Sequence, residues 1–157
     1  MPYNKPIPEP GDPLTRPFWD AAKEDKLVLP RCTSCNRVHW YPRWICPFCH
    51  ATEIEWIEGS GIGYIHTFAV QHRAFGGWAD ETPFVTAYID LAEGDRMFTV
   101  LRGVDPTRPE TIKIGAKVTR HSKYVFFQLA EVAVTRNLFA AILDRIARLA
   151  IPPPLVT

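Results

Sequence analysis

The sequence predicts a mainly β chain: a short N-terminal helix and a metal-binding ribbon, then a five-stranded barrel and a C-terminal amphipathic helix. Two observations carry most of this prediction. The four cysteines of the 157-residue chain form two Cys-x-x-Cys motifs with ten residues between them. Downstream, about 75 residues contain five β-rich runs separated by turn clusters, and five strands over that length favour a small closed barrel. A barrel of the OB type has five strands.

Changes in composition along the chain predict five consecutive units. They are an extended proline-rich arm (1–13), a helix and strand (14–29), the ribbon (30–54), an OB-type barrel (55–135) and a C-terminal helix with its tail (136–157). In the second unit, apolar residues recur at helical spacing from about Leu14 to Lys26, after a candidate cap at Asp12 or Thr15. Leu27–Leu29 is then predicted to be a strand that leads into the first cysteine motif.

The paired motifs predict a structural zinc site with Cys32, Cys35, Cys46 and Cys49 as its ligands. Each turn offers two thiolates, and four thiolates close a tetrahedron around Zn²⁺. Because a closed site has no position for substrate, the expected role of the metal is to stabilise a unit that is too small to fold unaided. Iron is an open alternative, since thiolates suit both metals. Asn36 stands where a left-handed backbone is often required.

Charged residues surround these motifs. Arg31, Arg37 and Arg43 are placed to offset the negative charge that four thiolates leave on a bound Zn²⁺. His39 and His50 could replace a cysteine as ligand, but we expect both to be side chains on the ribbon surface.

Four aromatic residues lie between or inside the motifs: Trp40, Tyr41, Trp44 and Phe48. The favoured interpretation is that most of them form the ribbon's small core and its contact with the N-terminal helix, because a ribbon has few other apolar groups. The alternative is a docking surface, since Trp and Tyr are enriched where proteins bind one another.

The barrel strands are predicted from period-two patterns that end at turn residues. After a strand at 53–58, the five runs are Ile62–Arg73, Phe84–Leu91, Met97–Arg102, Lys117–Lys123 and Val125–Val134. The loop at 73–83 carries a glycine pair with Arg73, Phe75 and Trp78, and binding residues concentrate in loops on rigid barrels. An ordinary hairpin whose aromatic rings fold back onto the barrel is an equal alternative.

The last predicted element is an amphipathic helix over 136–149, which Pro152 ends. Its apolar residues share one helical face: Leu138, Phe139, Ile142, Leu143, Ile146 and Leu149.

The net charge and composition of the chain restrict its class of function. A formal net charge of +1 gives no reason to expect nucleic acid or an anionic membrane as partner. No apolar run approaches the ~20 residues that span a bilayer, and no apolar signal core follows Met1. Because every cysteine belongs to a metal motif, the reducing cytoplasm is the expected location.

Catalytic motifs are not found in the sequence. The cysteines are committed to metal, no phosphate-binding glycine loop is present, and no serine or carboxylate motif accompanies the histidines of the predicted strands. These histidines are His66, His72 and His121. We therefore expect no catalytic residue in this chain.

A single-stranded nucleic-acid binder is the rival interpretation, because zinc ribbons and OB barrels both serve that function. The basic residues on strands near aromatic rings are Arg102, Lys117, Arg120 and Lys123. The nearly neutral chain disfavours this interpretation, since such binders normally carry a basic bias.

Several segments together resemble one known family. They are Phe18-Trp19, LVLPRCTSC from Leu27 to Cys35, Tyr41-Pro42-Arg43, CPFC, the stretch EIEWIEGSGIGYIHTF and the turn Ile112–Gly115. The chain is similar in these segments to prokaryotic acyl-CoA-associated proteins that join a rubredoxin-like zinc ribbon to an OB-fold. The resemblance covers residues 14–127 and is most specific over 18–63, whereas the helix at 136–149 departs from the shorter members.

The resemblance implies a non-catalytic partner of a thiolase-fold enzyme that acts on CoA thioesters. It further implies that the ribbon docks on that enzyme, that the barrel helps to shape its acyl-CoA site, and that the four cysteines bind Zn²⁺. Arg73, beside the flexible loop, is our candidate for the CoA phosphates, with Phe75 and Trp78 as candidate contacts to CoA or to the partner.

Overall fold

The computed structural model of this chain describes residues 12–121 and 126–129. Its elements are α1 (Arg16–Lys23), β1 (Val28–Cys32), β2 (Ile54–Glu58), β3 (Ile62–Gln71), β4 (Phe84–Leu91), β5 (Arg96–Arg102), β6 (Lys117–His121) and β7 (Phe126–Leu129), with short 3-10 turns at Gly76–Glu81 and Pro109–Thr111. The predicted helix at 136–149 and residues 1–11 of the predicted arm lie outside the described residues. Within those residues, no helix is long and apolar enough to cross a membrane.

Helix α1 begins at a turn that Asp12 organises. The Asp12 carboxylate accepts hydrogen bonds from the backbone N–H of Leu14 at 3.0 Å and from the Thr15 hydroxyl at 2.8 Å. Thr15 occupies the N-cap position, but its own side chain makes no capping hydrogen bond. The helix ends earlier than predicted because Asp25 adopts a left-handed conformation, with φ of 61°, which an α-helix cannot continue.

The ribbon is built on an antiparallel pair of strands. Strand β1 pairs with β2 so that Val28 lies opposite Glu58 and Cys32 lies opposite Ile54. The strand that leaves the cysteine motifs therefore belongs to the ribbon sheet, and Gly59 and Ser60 carry the chain from this sheet to the barrel.

The remaining five strands form a closed barrel in the order β3-β4-β5-β7-β6, with β6 returning to β3. The pairing of β5 with β7 is parallel, and the other pairs are antiparallel. This architecture confirms the predicted mainly β class and its five-stranded OB-type barrel. Inward-facing residues of all five strands fill the interior, including Ile65, Val85, Ile89, Met97, Leu101, Val118 and Phe127.

Polar contacts join the ribbon side of the molecule to the barrel. The backbone N–H of Ser60 donates to Oε1 of Glu93 at 2.5 Å. On β6, the Arg120 guanidinium lies 3.0 Å from the Asp25 carboxylate and also donates to the Asp25 carbonyl oxygen. These contacts hold α1 and the ribbon against one end of the barrel.

Candidate metal centre and docking surface

The four cysteines converge on one point. Their Sγ atoms all lie within 4.8 Å of one another, with 3.6 Å from Cys32 to Cys49 and 3.6 Å from Cys35 to Cys46. A tetrahedron with Zn–S bonds of about 2.3 Å has edges of about 3.8 Å, so this spacing fits a four-thiolate metal site. All four thiols are free, and the distances are far longer than the ~2.05 Å of a disulfide.

Two similar turns present the thiols. In the first, the N–H of Cys32 donates to the carbonyl of Arg37 at 3.0 Å; in the second, the N–H of Cys46 donates to the carbonyl of Ala51 at 2.8 Å. The residue after each second cysteine is left-handed, with φ of 59° at Asn36 and 61° at His50. The expectation for Asn36 is confirmed. The left-handed backbone of His50 was not predicted, although His50 occupies the same position in the second motif as Asn36 does in the first.

The electrostatics of the cluster favour a cation. Burial opposes ionisation of Cys46, but hydrogen bonds from the amides of Cys49 and Phe48 outweigh it and lower the pKa of Cys46 to about 6. For Cys49, the Ala51 amide favours the thiolate, but burial and the three neighbouring sulfurs prevail and raise its pKa to about 12. Without a metal, the cluster therefore resists full ionisation, and a divalent cation supplies the missing positive charge.

Two of the three arginines expected to offset the thiolate charge have other contacts. Arg31 pairs with Glu55 on the facing strand, with 2.6 Å between Nη2 and Oε1. The Arg37 guanidinium lies 3.4 Å from the centroid of the Phe48 ring, which is part of the second motif. Arg37 therefore stays beside the metal centre through an aromatic contact.

His39 is not a surface side chain as predicted, because only 1% of it is exposed. Its Nδ1 lies 3.4 Å from the carbonyl oxygen of Tyr41, and its Nε2 has no hydrogen-bond partner among the described residues. The ring therefore belongs to the interior of a ribbon that has few aliphatic residues of its own. His50 is exposed as expected.

The aromatic residues of the ribbon mostly face solvent, so the favoured core interpretation is wrong for three of the four. Trp40 alone packs inward, with its ring centroid 4.7 Å from that of Phe18 on α1. Trp44 is 64% exposed, Tyr41 and Phe48 are also exposed, and so is the neighbouring aliphatic Ile45. We call Trp44, Ile45 and Phe48 the ribbon patch. The rest of the interior is filled by Leu29, Val38, His39 and the buried Cys32 and Cys46.

The three predicted site residues of the loop at 73–83 differ in their exposure to solvent. Phe75 is 96% exposed, and Arg73 is exposed beside it with no ion pair to any described carboxylate. Trp78 instead folds back onto the barrel, with its ring centroid 5.3 Å from that of Phe84. The fold-back alternative therefore holds for Trp78, whereas a role of Phe75 in binding stays a prediction.

Trp78 also borders a groove that sequence reasoning did not anticipate. This aromatic groove has a volume of about 350 Å³ and lies between α1, the ribbon, the 3-10 turn and β5. Its main lining residues are Trp19, Trp40, Tyr41, Pro42, Trp78 and Phe98. Because these residues are distant in sequence, no local pattern could have predicted the groove.

The basic residues of the barrel are largely paired with acids. Arg102 lies 2.8 Å from Glu81, Arg120 lies 3.0 Å from Asp25, and Arg96 lies 2.6 Å from Asp90. His66 also contacts Asp90, at 3.1 Å. The barrel surface therefore carries charges of both signs. A binding path for a polyanion needs a stripe of basic residues instead.

Comparison with known proteins identifies both units. Residues 19–55 match the family model of the ChsH2 rubredoxin-like zinc ribbon domain, and residues 56–121 match that of the ChsH2 C-terminal OB-fold domain. A DUF35 domain-containing scaffold protein of Methanocaldococcus jannaschii is 37% identical over 102 residues, which are 64% of this chain and 70% of that protein.

Two further relatives carry enzyme names. The probable enoyl-CoA hydratase alpha subunit of Thermomonospora curvata is 34% identical over 112 residues, which are 71% of this chain but only 34% of that longer protein. A solved structure described as the Ltp2-ChsH2(DUF35) aldolase superposes with a TM-score of 0.64 at 28% identity, over 76% of this chain and 96% of that one. The chain therefore belongs to the DUF35 family, with the rubredoxin-like zinc ribbon and the OB-fold domain of the ChsH2 type.

Proposed function

We propose that this chain is a non-catalytic, zinc-binding accessory subunit of a thiolase-like enzyme complex that acts on CoA thioesters. The names of its relatives support this proposal, since one is an alpha subunit of a probable enoyl-CoA hydratase and another is the ChsH2 (DUF35) component of an aldolase. The word scaffold in the name of the Methanocaldococcus relative agrees with a supporting role.

The observation that carries the proposal is the ribbon patch beside a closed metal site. A four-thiolate centre leaves no coordination position for substrate, so the metal can only fix the shape of the ribbon. That shape holds Trp44, Ile45 and Phe48 in solvent, although a folded chain gains by burying such side chains. Rigid aromatic residues of this kind are the usual anchors of protein interfaces.

We do not propose an independent enzyme, because the four thiols belong to the metal site. The hydrogen bonds of His39 and His66 go to the Tyr41 carbonyl and to Asp90, and neither partner is a nucleophile of the serine or cysteine type. We therefore assign the reacting groups to the partner, and the acyl transfer, aldol-type or thiolytic step takes place there.

The loop at 73–83 is the part of the barrel that we propose to contact acyl-CoA or the partner. Arg73 supplies an exposed cation for phosphate, and Phe75 projects fully into solvent. Trp78, packed on Phe84, anchors the base of the loop on the barrel. In this arrangement the ribbon docks and the loop reaches the CoA ester bound by the enzyme.

Co-expression with a thiolase-like candidate partner, sought among the genes adjacent to the one that encodes this chain, tests the proposal. We expect the two to elute together in size-exclusion chromatography, and the partner to lose activity when it is purified alone. Separate elution with a fully active partner would contradict the proposal, as would turnover of acyl-CoA by the isolated chain.

Matched variants test which surfaces of the chain contact the partner and acyl-CoA. Trp44→Ser in the ribbon patch is expected to weaken the complex about tenfold or more, because truncating an interface anchor costs at least ~1.4 kcal/mol. Ile114→Ser removes an apolar side chain of similar exposure from a barrel turn and is expected to leave the complex intact. Arg73→Ala should raise the KM for acyl-CoA in the complex without preventing assembly.

A single-stranded nucleic-acid binder remains the second candidate because of one observation. Tyr88 and Phe98 lie opposite each other on β4 and β5, both exposed, with ring centroids 5.0 Å apart. Exposed aromatic rings on a barrel face can stack on bases. This candidate requires salt-dependent binding of a labelled oligonucleotide that weakens in Lys117→Ala, and no binding at low salt would dismiss it.

A further inference from the structure

We propose that the aromatic groove is the docking site of this chain's own proline-rich N-terminal segment, residues 2–10. Four prolines in nine residues, at positions 2, 6, 8 and 10, restrict this segment to extended conformations. Such segments dock in grooves lined by aromatic side chains, where a pre-ordered chain loses little conformational entropy on binding.

The lining of the groove has the chemistry that this ligand needs. Flat faces of Trp19, Trp40 and Tyr41 accept pyrrolidine rings, and an aliphatic residue such as Ile7 of the segment fits between them. Tyrosine and tryptophan also offer O–H and N–H donors, and a proline-rich chain presents carbonyl oxygens that no internal hydrogen bond uses.

The segment is tethered next to the groove. Thr15 lines the groove, and the described chain begins three residues earlier, at Asp12. A tether of a few residues gives an effective concentration of about millimolar, so even a weak intrinsic affinity fills the site. Nine residues extend to about 28 Å at ~3.1 Å each, which is enough to run along the groove.

The tether sets the direction in which the segment runs, and charge agrees with it. The end of the groove at Trp78 lies in the 3-10 turn Gly76–Glu81, where Asp80 is exposed and Glu81 pairs with Arg102. Lys5 is the one basic residue of segment 2–10 and lies seven positions before Asp12. A segment that leaves Thr15 and crosses the groove therefore brings its cation to the acidic turn.

The five indole N–H groups of the chain provide the test, observed by NMR on the zinc-loaded full chain and on a variant that lacks residues 2–10. Trp19, Trp40 and Trp78 line the groove, whereas Trp44 and Trp56 line a second depression together with Pro13 and Leu14, so their signals report the alternative in which the segment lies there. We expect the deletion to shift the three groove signals more than the other two, and the opposite order would overturn the proposal. A synthetic peptide of residues 1–11 should restore them saturably.

Two substitutions keep the test independent of the deletion. A full-length P6G/P8G/P10G variant should reproduce the shifts by loosening the segment. Phe98→Ser, in the exposed part of the groove, should weaken binding of the peptide to the deleted chain about tenfold, as expected for loss of an aromatic anchor. Phe48→Ser, which alters an exposed aromatic residue outside the groove, should leave peptide affinity unchanged.

Three further results would overturn the proposal. Groove signals that do not move on deletion would show that the segment lies elsewhere. Shifts that depend on protein concentration would assign the groove to the segment of a second copy. Movement of the same signals on deletion of residues 130–157, but not of 2–10, would assign it to the C-terminal segment. The experiment contains only this chain, so its outcome does not depend on any enzyme partner.

Discussion

The backbone N–H of Trp40 donates a 2.5 Å hydrogen bond to Oδ2 of Asp95, which ties the ribbon directly to the turn between β4 and β5 of the barrel. The same turn contributes Glu93, whose carboxylate accepts from the backbone of Ser60. One acidic turn of the barrel therefore fixes the ribbon at two points, and the aromatic groove lies beside this junction because Trp40 belongs to both.

Asp95→Ala is expected to lower the free energy of unfolding by about 1–2 kcal/mol, because it leaves the Trp40 amide without its charged acceptor. Urea unfolding of the zinc-loaded protein measures this change. Glu58→Gln is the matched control, since Glu58 is exposed at the end of β2, and it should change stability far less. Equal effects of the two substitutions would mean that the ribbon is held by packing alone.

Removing the metal should unfold the ribbon and spare the barrel, since the ribbon depends on the thiolate site and apolar residues of all five strands fill the barrel interior. Metal binding requires thiolates, so affinity should fall as the pH is lowered, and bound zinc should be lost at acid pH. Elemental analysis across a pH series, with NMR of the barrel signals, measures both effects. Cys49→Ser should bind less zinc at neutral pH, whereas Ser34→Ala in the first motif should bind a full equivalent.

Asp90 is expected to make a small, pH-dependent contribution to stability. Partial burial opposes its ionisation, but hydrogen bonds with Arg96 and His66 outweigh this effect and hold the pKa of Asp90 below its usual value of 3.8. Ionised Asp90 therefore stabilises the fold above that usual value, and the contribution is lost as the pH falls through the lowered folded-state pKa. Because the group is 45% exposed, the loss in Asp90→Asn should stay below about 1 kcal/mol at neutral pH.

Unfolding of wild type and Asp90→Asn at several pH values tests the direction of this pH dependence. The two proteins should differ at neutral pH and converge in acid. A difference that grows as the pH falls would contradict the assignment.

Gly63→Ala should destabilise the barrel by about 1–3 kcal/mol, as overpacking of a filled interior usually does. A methyl group at Gly63 would overlap Cγ2 of Ile89 and approach the carbonyl oxygen of Asp90 to 3.0 Å, where β3 pairs with β4. Thermal unfolding measures the loss. Gly76→Asn is the comparison, since Gly76 has open space around it and its φ of 57° lies in the left-handed region that Asn tolerates; it should cost less.

The metal ligands, the left-handed Asn36 and the strand β4 could be predicted from the sequence because each depends on local spacing. Phe84–Leu91 matches its predicted bounds, since inward and outward residues alternate and turns stand at both ends. Helix α1 is shorter than predicted because apolar spacing continues past the residue where the backbone turns, at Asp25.

The burial of the ribbon residues could not be predicted, because it depends on contacts between distant segments. Trp40 is packed inward by Phe18, whereas Trp44, four residues later, is 64% exposed. His39 is buried although its residue type usually lies at or near the surface. The groove likewise exists only once α1, the ribbon and β5 meet.

One hydrogen bond described above couples the outer surface of the ribbon to its inorganic centre: the backbone N–H of Phe48 donates to Sγ of Cys46 at 3.4 Å. Phe48 is at once a member of the exposed patch and a donor to a metal-bound sulfur, and such outer contacts tune a metal's electronic properties. A chain loaded with cobalt(II) in place of zinc should therefore change its visible absorption when another protein covers that face. The metal ion has no open position for substrate, but its absorption then reports whether the complex has formed.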